Sequence, residues 1–402
     1  MDGLLSLPPT VCSDLVRETA EEVGVGEAYH KGLGVLRRLL GLALSTRTLA
    51  EQVAQDAPAV EAFYAQQAPP PLEGEAALLV VQADGKGVPI VRRPRPDTPA
   101  TAPPVRLGKG QKHGGKKEAT LTATYTIAPA VRTPEAVAES LFAAAGVAGT
   151  APAADAAGQE RAGPRHKRLW ATLAGKDAAL AEAAGRVAVR EGAHIAHRVA
   201  LTDGSQALQE RVQRQFPAFT LVLDLIHATE YLWKAANALL GETAPRRTAW
   251  VKARALQLLR SQAAGLVADL RQLAAMPGRP RRARAVLTKV AAYLERNAPY
   301  MDYATYLARG WPIATGVIEG ACRPLVKDRC ELSSMRWTID GAEALLHLRC
   351  VHENGDWDAF HAFRRCQRHQ RLYAVPYPDD TATPLDLHAL DPRTAIPPVL
   401  AA

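Results

Sequence analysis

The residues with chemical potential in this chain are acids that follow short apolar runs. Val199-Ala200-Leu201 stops at Asp203-Gly204, Phe219 to Leu223 stops at Asp224, and Ala76 to Asp84 (AALLVVQAD) ends in a carboxylate too. Runs of this length read as strands buried on both faces, and ligands in α/β sheets sit beyond the carboxyl ends of strands. A fourth acid, Glu319, lies at the start of the last predicted core helix, which begins near Gly316. Each aspartate alone has a plainer use, as the cap of the helix that follows it. Carboxylates gathered at one strand edge repel one another, which raises a pKa unless cations intervene. Magnesium is the usual remedy, with hard oxygen ligands, one or two carboxylates per ion, and water or phosphate for the rest. Two such ions about 3.5–4 Å apart activate a water or a 3′-hydroxyl and stabilise the leaving oxygen in phosphodiester displacement.

The elements that must position these acids follow from periodicity. Leu208, Val212 and Phe216 recur at i, i+4 and i+8, one helical face, and Pro217 ends that helix. Ala228 to Leu240 is helical again and is closed by Gly241. Upstream, Gly85-Lys86-Gly87 reads as a tight turn into Val88 to Val91, making the first two strands a hairpin. Residues 94–118 read as a basic loop. Its Gly110 and Gly115-Lys116-Lys117 fall short of a P-loop, because no hydroxyl residue follows the lysine and a strand comes next. That strand, Ala119 to Ile127, alternates cleanly. Thr133 with Pro134-Glu135 starts a helix to about Ala145, residues 146–164 read as an Ala/Gly/Pro linker, and another helix runs from about Asp177 to Glu191. Three strands in a meander, then helix, strand, helix, strand and a final helix, is the ribonuclease H-like order.

Residues 13–67 read as helices, with Ser45 or Thr46 as a cap; ordinary packing is the expectation there, and a helix-turn-helix DNA reader the alternative. Pro69 to Pro71 mark a boundary. Residues 242–308 read as an all-helical block, divided by a Pro-Arg turn at 277–282 and inserted before the helix of Glu319. The chain therefore divides into an N-terminal helical region (1–70), an α/β ribonuclease H-like mixed-sheet core (71–240), an all-helical insertion (241–312), the final helices of the core (313–372) and a loosely ordered tail (373–402).

Composition narrows the function classes. The formal charge is +8, and its basic residues cluster at Arg92-Arg93, Lys109 to Lys117, Arg246-Arg247, Arg279 to Arg284 and Arg364 to Arg371, a distribution that points to a nucleic-acid surface. Five cysteines form no CxxC pair, which argues for reduced thiols. Four of them lie near His347, His352 and His369 in sequence, at spacings that match no common zinc pattern. No window approaches about 18 uninterrupted apolar residues and the start lacks a signal pattern, so a cytoplasmic protein is expected, nucleoid-associated when bound to DNA. A glycoside hydrolase using two of the acids is disfavoured by an aromatic content of 5%, since sugar sites favour stacking rings.

The segments ADGKGVP (83–89), TDG (202–204), LDLIHATEYLWKAA (223–236), GVIEGACRPLVKDR (316–329), MRW (335–337) and NGDWDAF together resemble the DDE transposases of bacterial insertion sequences, ISKra type, and more distantly the Mutator-like transposases. The resemblance covers nearly the whole chain and is most specific from 316 to 358. It implies a ribonuclease H-like catalytic core, a helical insertion before the catalytic Glu, and Asp84, Asp203 and Glu319 as a DDE triad binding Mg2+ or Mn2+. Asp224 and His227 match the Cys-x-x-His position of Mutator-like relatives and are expected to support the triad. The runner-up makes Asp224 a metal ligand and Asp84 structural. Arg323 and Lys327, at i+4 and i+8 from Glu319, are expected on its helix face. With Arg329, Arg336, Lys112, Lys116, Arg281 and Arg282 they form the expected DNA contacts. The implied partners are the terminal inverted repeats of the element and target DNA, with a homo-oligomer assembled on DNA and no membrane. Pro324 departs from the family, where many relatives carry His, and is expected to bend the helix. The reading carried forward is a transposase; the alternative is an inactive or repurposed transposase-derived DNA-binding protein.

Overall fold

The computed structural model describes residues 12–91, 115–143, 163–331 and 335–373. Lys112 and the tail beyond 373 lie outside them. The chain divides into two units, one formed by the described parts of 1–67 and 355–402, the other by 68–354. No helix among the described residues is long and apolar enough to cross a membrane.

The larger unit is an α/β arrangement around one five-stranded sheet. Its strands are β1 (Leu78–Pro89), β2 (Lys116–Ile127), β3 (Arg165–Thr172), β4 (His197–Thr202) and β5 (Thr220–Leu223), in the spatial order β3-β2-β1-β4-β5. β2 runs antiparallel to β1 and β3, while β1, β4 and β5 are mutually parallel. Strand alternation splits β1 between two cores. Leu79, Val81 and Ala83 face one apolar cluster, closed by Leu180, Ala183 and Val187 of a helix over Lys176–Ala188 and by Leu208 and Val212 of a helix over Gln206–Gln215. Leu78 and Val80 face the other, with Leu232 of the helix Leu225–Leu240. Leu258, Leu266, Leu287 and Leu307, from helices at Arg246–Leu259, Ala263–Ala275, Arg281–Asn297 and Tyr303–Ala308, belong to that same cluster. Each such leucine contributes roughly 1.5–3 kcal/mol by burial, so this helical block is a packed layer on the sheet.

Two local expectations are corrected. Gly85-Lys86-Gly87 is no turn: β1 runs straight through it, pairing Asp84 with Leu121 and Val88 with Lys117. The glycines serve close approach instead, since a Cβ on Gly85 would lie 2.9 Å from Glu118 Cδ and one on Gly87 2.9 Å from Lys116 Cδ. The third strand is β3, just after the expected linker and before the expected helix. It is an edge strand that opens on Arg165-His166-Lys167-Arg168, and such charge at an edge blunts further pairing while hiding the strand pattern.

The helix of Glu319 spans Gly316–Cys322 and passes into a π-helical segment at Arg323–Lys327, which contains Pro324. A residue without an N–H cannot continue the α ladder, and the wider π turn absorbs it. The guanidinium of Arg349, on a helix over Ile339–Glu353, donates to the Pro324 carbonyl.

In the smaller unit, helices at Asp14–Gly26, Tyr29–Leu40, Thr46–Asp56 and Ala59–Ala65 occur with the C-terminal helix Trp357–Tyr373. Ser45 caps the third of them, accepting from Thr48 N at 3.0 Å. The ring of Phe63 meets those of Phe360 and Phe363, each at 5.6 Å.

Candidate active site

Register sets the aspartates in a row. Ala83 pairs with Thr202 and Thr202 with Leu223. The next residues, Asp84, Asp203 and Asp224, therefore stand side by side where the parallel pairing ends, on paths about 4.8 Å apart. Asp224 N extends the ladder by one bond, donating to the Thr202 carbonyl at 2.9 Å.

Asp224 is the most fully engaged of the three. It is completely buried. Its Oδ1 accepts from Ile226 N at 3.1 Å and Thr315 N at 3.2 Å, and its Oδ2 accepts from Thr315 Oγ1 at 2.8 Å. His227 Nδ1 lies 2.7 Å from the same Oδ2. The capping role holds, and Asp224 in addition pairs with His227. That hydrogen bond, outweighing burial, raises the His227 imidazole to about 9, with the Asp224 and Asp203 charges adding to it. His227 Nδ1 also comes within 3.7 Å of Glu319 Oε1.

Glu319 is brought to this point by an amide the sequence reading passed over. Gln82 is fully buried in β1. It accepts from Ile318 N at 2.9 Å and donates to the Tyr125 hydroxyl at 2.8 Å, tying the Glu319 helix to the sheet. A polar residue within AALLVVQAD was the available signal, because a buried amide must find partners. Burial, followed by the charges of Asp224 and Asp84, raises the Glu319 pKa against the opposing pull of His227 and Lys86. Among the described residues, Asp224, His227 and Glu319 offer ligand atoms all within 4.8 Å of one another. Asp84 and Asp203 stand in the adjoining positions of the row, outside that group.

Asp84, 4% exposed, is held from within. Gly85 N donates to its Oδ1 at 2.7 Å, Cys322 Sγ donates to its Oδ2 at 3.3 Å, and Lys86 Nζ lies 3.0 Å from Oδ2. Burial and then the Asp84 charge push the Cys322 thiol up, so it stays a proton donor. Burial disfavours the Lys86 ammonium, but Asp84, then Cys322 and Glu319, raise it overall.

Asp203 is half-buried and closes a local turn through Ser205 N, at 2.9 Å from Oδ1. The helical block grips this turn. Tyr293 donates to the Asp203 carbonyl at 3.0 Å and Arg296 to the Gly204 carbonyl at 2.7 Å. Gly204 has φ +84°, and a Cβ there would lie 2.5 Å from the Tyr293 hydroxyl oxygen, which accounts for the glycine of the TDG segment.

The basic residues divide. Arg281, Arg282, Arg323, Lys327 and Arg336 are exposed. Past Cys322 the π segment breaks the i+4 and i+8 stacking expected on Glu319, and Arg323 pairs with Asp328 at 3.3 Å. Lys116 pairs with Glu331. Arg329 is corrected: it is fully buried, with its guanidinium 4.9 Å from the Trp337 ring centroid and Nη1 3.5 Å from Met335 Sδ. It is a core cation and cannot reach a phosphate. The cysteines form no metal-ligand group with His347 or His352 among the described residues.

One imidazole and two carboxylates suit a divalent cation of the Mg, Mn or Zn kind, the imidazole favouring the softer of these. No family model matches the chain, and no curated protein matches it.

Proposed function

We propose that this chain is a DDE-type transposase, cutting and joining DNA strands with divalent-cation help at the row of Asp84, Asp203 and Asp224 beneath Glu319. The observation that carries the reading is the register, which lines three aspartates along one sheet edge, with Glu319 brought to the end of that row. The strand order with an antiparallel β2, and the helical block that precedes Glu319, fit a ribonuclease H-like core. Asp84, Asp203 and Glu319 are the proposed triad, with Mg2+ or Mn2+ as the ion. Bound cations would supply activation of a water or 3′-hydroxyl and stabilisation of the leaving oxygen. Asp224 orients His227 and anchors Thr315 just ahead of the Glu319 helix. Tyr293 and Arg296 hold the Asp203 turn. The exposed Arg281, Arg282, Arg323, Lys327 and Arg336 are available to DNA phosphates.

The test uses duplexes carrying the DNA that flanks the coding region, with the parent protein and Asp203→Ala compared in Mg2+ and Mn2+. Strand cleavage by the parent, lowered at least about a hundredfold in the variant, is expected for a group that stabilises transition-state charge. Equal metal-dependent cleavage by both proteins would end the proposal. A second reading, a transposase-derived DNA-binding protein without chemistry, draws on the internal donors that occupy Asp84. Tight retention of those duplexes with no cleavage by the parent would select it.

A further inference from the structure

The DDE reading needs Asp84 to accept a cation, yet Asp84 already has one. Lys86 follows it by two residues in a continuous strand, so both side chains leave the same face of the sheet. Its Nζ lies 3.0 Å from Asp84 Oδ2, the oxygen that Cys322 also donates to, while Gly85 N occupies Oδ1. The Asp84 side chain is 6% exposed and that of Lys86 29%, so the carboxylate is fixed while the ammonium sits at the rim. A lysine there has a long, flexible stem and a water-ready head, which allows it to withdraw without unfolding the strand. Gly85 and Gly87 flank it, and their missing side chains leave room for Glu118 and Lys116 of the neighbouring strand to lie across the backbone. The strand therefore stays paired where Lys86 reaches Asp84.

We propose that Lys86 is a positioning residue, a resident counter-ion that keeps Asp84 in place before a divalent cation arrives and must leave Oδ2 for that cation to bind. This inference rests on the reading of the aspartate row as a cation site. Lys86 then sets the threshold of cation affinity: the ion must outcompete an ammonium already bonded to its ligand. Neutralising Lys86 without shortening it, as Lys86→Met, removes the competitor, and Lys86→Arg keeps the charge.

The experiment is a titration of the full chain with Mn2+ alone, read by the loss of the free-ion electron paramagnetic resonance signal, with thermal melts run alongside. Lys86→Met is expected to bind Mn2+ about tenfold more tightly than the parent, the lower end of what an adjacent cation does to the proton affinity of a carboxylate. Lys86→Arg is expected to restore affinity to near the parent value, which a loss of packing alone would not do. Glu319→Gln is expected to weaken binding in either background. Should Glu319→Gln weaken Mn2+ binding while Lys86→Met leaves it unchanged or looser, the counter-ion role is overturned and the cation site stands. Should none of the proteins bind Mn2+, the site and the role fall together. A Lys86→Met protein that binds tightly, with Lys86→Arg equally tight, would also overturn the role, since charge would not be what matters.

Discussion

Each of the two units buries charge, and they resolve it in opposite ways. In the unit formed by the two ends of the chain, Arg17 binds Asp56 at 2.5 Å and Glu21 at 3.2 Å, and Arg364 binds Asp56 and approaches Glu21 at 4.0 Å. Two guanidinium groups meet two carboxylates whose side chains are at most 1% exposed. The account closes internally. In the sheet unit, Lys86 pairs with Asp84 and His227 with Asp224 and Glu319, two cations for the row of acids among the described residues. That arrangement follows from its topology, because the parallel pairing of three strands gives way to aspartate at one register. A balanced cluster ties helices together and recruits nothing. An unbalanced one is where the proposed cation would supply the missing charge.

The sharpest way to break the contrast is to open the closed cluster. Asp56→Ala removes the carboxylate shared by Arg17 and Arg364 and leaves both cations in the interior with Glu21 alone. Breaking a buried pair from one side costs about 3–5 kcal/mol, far more than the pair itself contributes, because an uncompensated charge is left behind. Urea unfolding, followed by amide exchange in the helices Asp14–Gly26 and Trp357–Tyr373, should show this loss confined to the smaller unit. A change under about 1 kcal/mol would mean the cluster is solvated in solution.

The open half of this contrast was legible in sequence; the closed half was not, since Arg364 reads there as part of a basic surface, whereas it pairs with Asp56. The apolar runs leading into Asp84, Asp203 and Asp224 were readable as strands because both faces are buried and the runs are continuous. The cap by Asp224 and its link to His227 follow from spacing on one helix turn. Gly85-Lys86-Gly87 was misread because two close glycines signal a turn locally, whereas β2 pairs along the whole of β1 and overrides that signal. β3 escaped because its first half, Arg165-His166-Lys167-Arg168, carries charge where the other strands of the row carry Val and Leu. Arg329 looked like a phosphate contact because burial of a cation depends on Trp337 and the elements around it. The Cys322–Asp84 contact joins residues 238 positions apart, a separation at which no local pattern survives.

His361 joins the closed cluster, its Nε2 3.9 Å from Glu21 Oε2, and acid titration separates the two. Burial, then the Arg364 charge, pushes the His361 imidazole down from its ordinary 6.5 to about 3. The unfolded chain therefore binds this proton first, and the His361 contribution, full above 6.5, is lost as pH falls from there toward 3. Burial, then Asp56, raises the Glu21 carboxyl well above its ordinary 4.5. The folded chain binds that proton first, so the Glu21 contribution is full below 4.5 and is lost as pH rises through its folded value. The two slopes oppose one another from 4.5 upward, as far as the folded Glu21 value or 6.5, whichever is lower. Glu21→Gln should leave stability rising with pH across that window, and His361→Gln should leave it falling, each by on the order of 1 kcal/mol per pH unit. Slopes of the same sign in both variants would show that the pair does not titrate as the geometry requires.

The smallest expected effect tests the open site. Glu319 is half-buried, and burial and Asp224 raise its carboxyl above the ordinary range. The ionised side chain therefore works against folding at pH values above its folded pKa, where the unfolded chain carries the same charge at no cost. Glu319→Gln removes that charge while keeping the shape. In metal-free buffer the variant should melt at or slightly above the parent, by a few tenths of a kcal/mol once solvent screening of a side chain 36% exposed is allowed for. Mn2+ at a hundred times its dissociation constant should raise the stability of the parent by about 2.7 kcal/mol and do little for the variant. Asp56→Ala gives the opposite pattern, a large loss without metal and an undiminished response to it. If Glu319→Gln instead costs more than about 1 kcal/mol in the absence of metal, its carboxylate is a structural partner of His227. The acidic row would then be a second closed cluster.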